Sequence, residues 1–130
     1  MQPAPSSDAS VAAANLDAFE TRHCLYGHTH LPIIWRADGI DMSVVPATPS
    51  APVTLDARRA LINPGSVGQP RDGNPHASYL LLDTEAGIAE FRRVAYEVSQ
   101  TQRLMRGVGL PRWLIDRLAI GRLPVRGAVG

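Results

Sequence analysis

The chain has 130 residues and a formal net charge of +1, which leaves no electrostatic footprint for nucleic acid or an anionic membrane surface. A hydrophobic content of 45% beside 19% charged residues belongs to a globular domain with a modest core, and excludes wholesale disorder. The single cysteine, Cys24, excludes an internal disulfide framework and reads, within its apolar run, as a small core residue.

Met1 to Ser7 is rich in Pro, Ser and Ala, and residues 1–8 are expected to fray. Ser7 or Asp8 can cap a helix over Ala9 to Thr21, with Val11, Leu16 and Phe19 tending to one face. His23 to Tyr26 reads as a short strand that stops at Gly27, with His23 a core or edge residue. Pro32 to Trp35 and Ile40 to Val45 read as two strands, and Asp38-Gly39 between them is a hairpin turn signal. The prolines of Pro46 to Pro52 predict an exposed loop.

Val53 to Leu55 and Ala60 to Ile62 read as a further strand pair. Ser78 to Asp83 and Ile88 to Val98 form a hairpin across Thr84 to Gly87, with a bulge or a shorter second strand expected where alternation falters at Arg92 and Arg93. Ser99-Gln100-Thr101-Gln102 fits a capping box for a helix stopped by Gly107 or Gly109. Pro111 suits the first turn of a last helix that ends near Gly121 and carries Leu114, Ile115 and Leu118 as its core stripe. The arginines of this C-terminal third read as a solvated face. No apolar stretch approaches the ~20 residues of a membrane span and no leader is recognisable, so a cytoplasmic location is expected. Residues 123–130 read as a tail.

Two segments carry candidate chemistry. Gly27-His28-Thr29-His30 ends the first strand, and in extended backbone a spacing of two puts His28 and His30 on one side. Neutral imidazole is a common metal ligand, but two ligands do not complete a metal site. The second segment is Asn63-Pro64-Gly65-Ser66-Val67-Gly68-Gln69-Pro70-Arg71-Asp72-Gly73. Asn63 is held extended by the proline after it, and Pro64-Gly65 fits the centre of a type II turn. Such a loop can aim backbone N–H groups and the Ser66 hydroxyl at an anion, and Arg71 is the residue suited to meet a phosphate. His76, just beyond, is a further candidate for the same cleft.

Taken together, the two segments resemble the calcineurin-like metallophosphoesterases, in particular their small bacterial branch of diadenosine tetraphosphatase-like and protein-phosphatase-like proteins. Ala77-Ser78-Tyr79, Leu82-Asp83, Tyr96 and Gly109-Leu110-Pro111 continue the likeness, which runs from about Leu25 to Arg122. It implies an α+β fold over residues 9–122: the C-terminal half of a four-layer α/β/β/α sandwich, mostly antiparallel sheet with flanking helices. It also implies a pair of divalent metal ions (manganese, iron, zinc or nickel) about 4 Å apart that act on a phosphate mono- or diester. His28 and His30 would each ligate one ion, while Asn63, Gly65, Ser66 and Arg71 would form the substrate or site wall.

The family's remaining ligands come from earlier Asp-x-His, Gly-Asp-x-x-Asp and Gly-Asn-His/Asp motifs, none of which occurs in this sequence. The chain is therefore expected to be a truncated phosphoesterase, inactive until an N-terminal half or a second copy of itself supplies those ligands. The alternative is a non-catalytic remnant of the fold that binds a partner along its exposed sheet edge. A cupin-like single-metal site fits less well, because Ile34 and Trp35 stand where that pattern wants a glutamate. Nucleic-acid and membrane partners are not expected.

Overall fold

Short apolar runs between Pro, Gly and Asp breaks become seven strands in the computed structural model, which describes residues 8–123. They are β1 (His23–Leu25), β2 (Pro32–Asp38), β3 (Asp41–Val45), β4 (Val53–Thr54), β5 (Ala60–Pro64), β6 (Ala77–Asp83) and β7 (Ile88–Val94). Three helices accompany them: α1 (Ala9–Asn15), α2 (Val98–Gly107) and α3 (Arg112–Ile120). The strands sort into a four-stranded sheet of order β1-β5-β2-β3 and a three-stranded sheet of order β4-β7-β6. Only the β1–β5 pair is parallel; every other pairing is antiparallel.

Period-two alternation along the strands builds two cores from one central sheet. Ile34, Ala60 and Ile62 face the second sheet and pack with Leu55, Ala89 and Phe91, while Leu80 and Leu82 close over them. Trp35 and Leu61 face the other way and pack with Ala12 of α1, with Phe19, Cys24 and Ile33 around them. The order of layers is thus helix, sheet, sheet. Burying a large apolar side chain such as Phe91 or Ile34 contributes about 1.5–3 kcal/mol each, so these two clusters hold the layers together. β5 is central in its sheet and covered on both faces, so Ala60, Leu61, Ile62 and Asn63 are all buried in succession. The fold is α+β and matches a partial sandwich, as the sequence resemblance implied.

Several elements differ from the sequence reading. The first helix stops at Asn15 and tightens into a 3₁₀ turn over Leu16–Ala18. Arg59 competes with a longer helix, since its guanidinium takes Leu16 O, which a helix running to Thr21 would give to Glu20 N–H, and also holds the Phe19 and Thr21 carbonyls. Asp8 does cap α1, accepting from Val11 N–H at 3.0 Å, but Ala12 and Asn15, rather than Val11, Leu16 and Phe19, are its buried face. Val53 to Leu55 and Ala60 to Ile62 do not pair: β4 joins β7, and β5 is claimed on both sides by β1 and β2.

β6 and β7 keep unbroken register from Ala77↔Val94 to Asp83↔Ile88, so of the two expected alternatives the shorter strand is found: β7 ends at Val94, and Arg92 and Arg93 lie on it without a bulge. The first hairpin turns at Gly39-Ile40, one residue later than expected, with Gly39 at φ +66° and Asp38 opposite Asp41. The capping box does not form. Glu97 is the N-cap of α2, Ser99 donates to the Glu97 carboxylate, and Gln102 instead donates to Ile115 O on α3 at 2.9 Å. Pro111 stands at the N-cap of α3, and Gly121 ends that helix in the left-handed conformation. The expected frayed segment 1–8 lies outside the described residues except for Asp8, and the tail 123–130 except for Leu123.

Candidate functional site

The site is assembled where β1 and β5, the parallel pair, both end. Tyr26 N–H donates to Ile62 O at 3.0 Å, so the chain leaves β1 still attached to β5, and the histidine segment begins there. That segment is not extended. Thr29 N–H donates to Gly27 O at 3.0 Å, a three-residue turn centred on His28. His28 has φ 73° and His30 φ 59°, so the alternation expected of a strand does not govern where the two imidazoles go. Left-handed backbone at a side-chain-bearing residue costs roughly 1–2 kcal/mol, and it persists only where neighbours over-determine it.

Asn63 provides much of that determination. Its Nδ2 donates to Gly27 O at 3.2 Å and to Thr29 Oγ1 at 2.9 Å. Its Oδ1 accepts from Gly65 N–H at 2.9 Å. The side chain is 0% exposed, so these bonds are formed out of water, where leaving their partners unmet is costly. Asn63 is a positioning residue for both loops and does not line an open cavity.

The Pro/Gly loop is braced from beneath by β6. Ser78 Oγ donates to Pro64 O at 2.7 Å, and Ser78 N–H donates to Ser66 O at 2.9 Å. Gly65 sits at φ +85°, as the turn expected there requires, and a Cβ on it would lie 2.6 Å from Ser78 Oγ. The Ser66 hydroxyl is used within the loop, accepting from Gln69 N–H at 3.0 Å. Accepting that bond leaves the Ser66 O–H itself as a donor.

Gln69 joins the two loops directly. Its carbonyl lies 2.8 Å from His30 Nδ1, and a carbonyl can only accept, so Nδ1 carries the proton and Nε2 of the neutral ring is the free lone pair. Its side-chain Oε1 accepts from Arg71 Nη2 at 2.8 Å, and Arg71 N–H reaches back to His30 O at 3.4 Å. His30, Gln69 and Arg71 therefore form one linked unit, with His30 and Arg71 half-buried and His28 exposed. His76 is exposed, and its carbonyl accepts from Arg93 at 2.9 Å. His23 is half-buried on β1, and burial pulls its imidazole below the ordinary value.

An imidazole with Nδ1 tied to a carbonyl is the arrangement that orients a metal ligand. On this segment the described residues nevertheless supply only the imidazoles of His28 and His30. Among the described residues no group of three or more His, Cys, Asp or Glu side chains is placed to hold a metal ion. The donor set of the described residues does not by itself fit a two-metal centre.

Sequence reasoning singled out His28, His30, Asn63 and Arg71, and the structure brings their loops together. It passed over Thr29, Gln69 and Ser78, which lock the geometry. Gln69 acts chiefly through its carbonyl, which every residue has, so no side-chain pattern marks it. Among the described residues no helix is long and apolar enough to cross a membrane.

The calcineurin-like phosphoesterase superfamily domain matches residues 4–87. An uncharacterized protein of Methanocaldococcus jannaschii is 37% identical over 97 residues, covering 74% of this chain and 38% of its own length. The crystal structure of a metallophosphoesterase from Sphaerobacter thermophilus superposes with a TM-score of 0.80 at 42% identity, over 85% of this chain and 46% of that one. The chain thus belongs to the calcineurin-like phosphoesterase superfamily. It spans less than half the length of each of these two relatives.

Proposed function

We propose that this chain forms the histidine-bearing half of a metal-dependent phosphoesterase site. His28 and His30 would be contributed to a centre whose other ligands come from a segment outside the described residues. The observation that carries this reading is the His30 Nδ1···Gln69 O contact of 2.8 Å, which fixes the tautomer and leaves Nε2 as a lone-pair donor. Family membership supports the reaction class, and the two imidazoles support a role for divalent ions such as manganese, iron, zinc or nickel. Their place is beside β1, which among the described residues is an edge strand paired on one side only and whose Leu25 is 57% exposed. A cleft lined by Leu25, Tyr26, Gly27, Pro64, Leu80 and Leu82 opens at this edge, and additional strands seated there would abut the histidine segment.

The test is manganese-dependent hydrolysis of bis-p-nitrophenyl phosphate and p-nitrophenyl phosphate. The purified chain is assayed beside His28→Ala, alone and mixed with the separately expressed remainder of the Sphaerobacter relative. Hydrolysis that His28→Ala abolishes, in either arrangement, supports the reading. Hydrolysis indifferent to His28, or none in any mixture, overturns it.

The same open edge favours a second reading, a non-catalytic module that pairs with a partner strand or a second copy. Under it, a chain carrying alanine at both His28 and His30 keeps its partner, and loss of pairing in that folded double variant counts against it.

A further inference from the structure

The Pro/Gly loop, which carries Arg71, touches the end of α3, whose last turn carries Arg117 and which Arg122 follows. Gly73 N–H donates to Gly121 O at 2.9 Å, and Gly121 N–H donates to Arg117 O at 3.0 Å. Arg117 therefore stands one helical turn from the contact, and Arg71 stands two residues before Gly73. The contact is close-fitting. A Cβ on Gly121 would lie 2.6 Å from the Asn74 carbonyl carbon, and one on Gly73 would lie 3.1 Å from the Arg122 guanidinium. With both glycines required in left-handed backbone, at φ +62° and +85°, α3 is keyed to the loop that holds Arg71 and, through Gln69, His30.

The charges at this contact are not balanced. Asp72 is taken by Arg93, and Asp116 pairs with Arg112 on the exposed side of α3. Among the described residues neither Arg71 nor Arg117 has a carboxylate partner, and the Nε of each is buried without a hydrogen bond. Arg71 is steadied by Gln69 at 2.8 Å. The Arg117 guanidinium lies over the Trp113 ring, 5.2 Å from its centroid. Burial first, and the charge of Arg71 second, pull Arg117 below the ordinary guanidinium range. Buried unpaired donors and adjacent like charges are both unfavourable, and one oxyanion between the two guanidiniums removes both penalties.

We propose that Arg71 and Arg117 form a phosphate-binding site, selective for a terminal phosphate over a bridging diester. Two guanidiniums match the charge of a terminal phosphate, about −1.5 to −2 at pH 7, better than the single charge of a diester. Two planar forks also need more unesterified oxygens than a diester keeps. That this phosphate belongs to a substrate rests on the phosphoesterase reading above, and it directs that reading toward monoesters; the binding site itself stands apart from it.

The test is titration of the metal-free chain with inorganic phosphate and with dimethyl phosphate, followed by calorimetry and by the arginine Nε–Hε resonances in NMR. Omitting metal keeps the result separate from any failure of the metallohydrolase reading. Inorganic phosphate is expected to bind and to shift the Arg71 and Arg117 resonances, with dimethyl phosphate weaker by roughly tenfold or more. Arg117→Gln and Arg71→Gln should each weaken phosphate by a similar factor, while Arg106→Gln, exposed on α2, should leave it unchanged. If Arg117→Gln does not fold, Arg117→Lys keeps the charge and drops the fork, and should show the same loss. No phosphate binding, equal affinity for the two anions, or equal losses in the Arg106 and Arg117 variants would overturn the proposal.

Discussion

Asn63 and Thr29, 34 residues apart in the chain, are joined by a 2.9 Å hydrogen bond from Asn63 Nδ2 to Thr29 Oγ1. Through it the end of the central strand holds the middle of the histidine segment, while the same amide accepts from Gly65 N–H. One buried side chain thus sets the relation between the two loops that make the site.

Asn63→Ala should therefore be costly out of proportion to its size. It strands Gly65 N–H and removes the donor from Gly27 O and Thr29 Oγ1, at about 1–3 kcal/mol for each buried group left unpaired. Urea denaturation should show a lower midpoint with an unchanged slope. NMR of the folded fraction should show broadened or shifted amides across Gly27 to His30. A change under about 0.5 kcal/mol, the usual range for a surface site, would contradict the clamp.

Gly65→Ala combines two penalties. The φ of +85° disfavours any Cβ, and that Cβ would lie 2.6 Å from Ser78 Oγ and 2.9 Å from Ser78 Cβ. The left-handed backbone alone costs roughly 1–2 kcal/mol, so thermal unfolding should show a larger loss than that. Adding Ser78→Gly removes the clashing atoms, and part of the loss should return despite the missing bond to Pro64 O. Strictly additive effects in this double-mutant cycle would mean that the two positions do not touch.

The neutral ring of His30 should be the Nδ1–H tautomer, because its partner at 2.8 Å is the Gln69 carbonyl. Long-range ¹H–¹⁵N correlation at about pH 8, above the ordinary imidazole value of ~6.5, reads the tautomer directly. An Nε2–H ring would remove the orienting contact and with it the argument for His30 as a ligand.

Asp56 gives the chain an acid-sensitive element remote from the site. Arg58 donates Nε to Asp56 Oδ1 at 3.1 Å and Nη2 to Oδ2 at 2.7 Å. This pairing, led by the Arg58 side chain, lowers the Asp56 carboxyl from 3.8 to about 2. A folded value below the unfolded one stabilises the native state above the unfolded value, and that stabilisation is lost as pH falls through about 2. Asp56→Asn should flatten the acid-unfolding profile between those two values. In NMR titration Arg58→Gln should move the Asp56 midpoint back toward 3.8. Added salt should shrink the effect, since the pair is exposed to solvent.

Most strands were legible because their signals are local: apolar runs, period two, and turn residues such as Gly39 and Pro64. What sequence did not reveal was pairing. Val53 and Ala60 look like neighbours across a short loop, yet β5 forms the core of one sheet and β4 the edge of another, a choice made by the packing of Ile62 and Phe91. The Ser99–Gln102 capping box lost to tertiary contact, because the Gln102 amide gains a carbonyl on α3. Residue type marks His28 and His30, but their spacing implies extended backbone, whereas the turn they adopt is held by Asn63 far along the chain. Arg117 reads from sequence only as part of a solvated basic face; the folded contact at Gly121 sets it one helical turn from the loop that holds Arg71.

The two loops of the site hang from strands of unequal permanence. The Asn63 to Gly65 wall continues β5, whose amides are shielded by strands on both sides and by a packed layer on each face. The histidine segment continues β1, three residues long with a neighbour on one side only. In hydrogen–deuterium exchange the first belongs with the slowest, globally unfolding amides and the second with those released by local fraying. The imidazoles can therefore swing away and return while the wall that recaptures them through Asn63 stays in place.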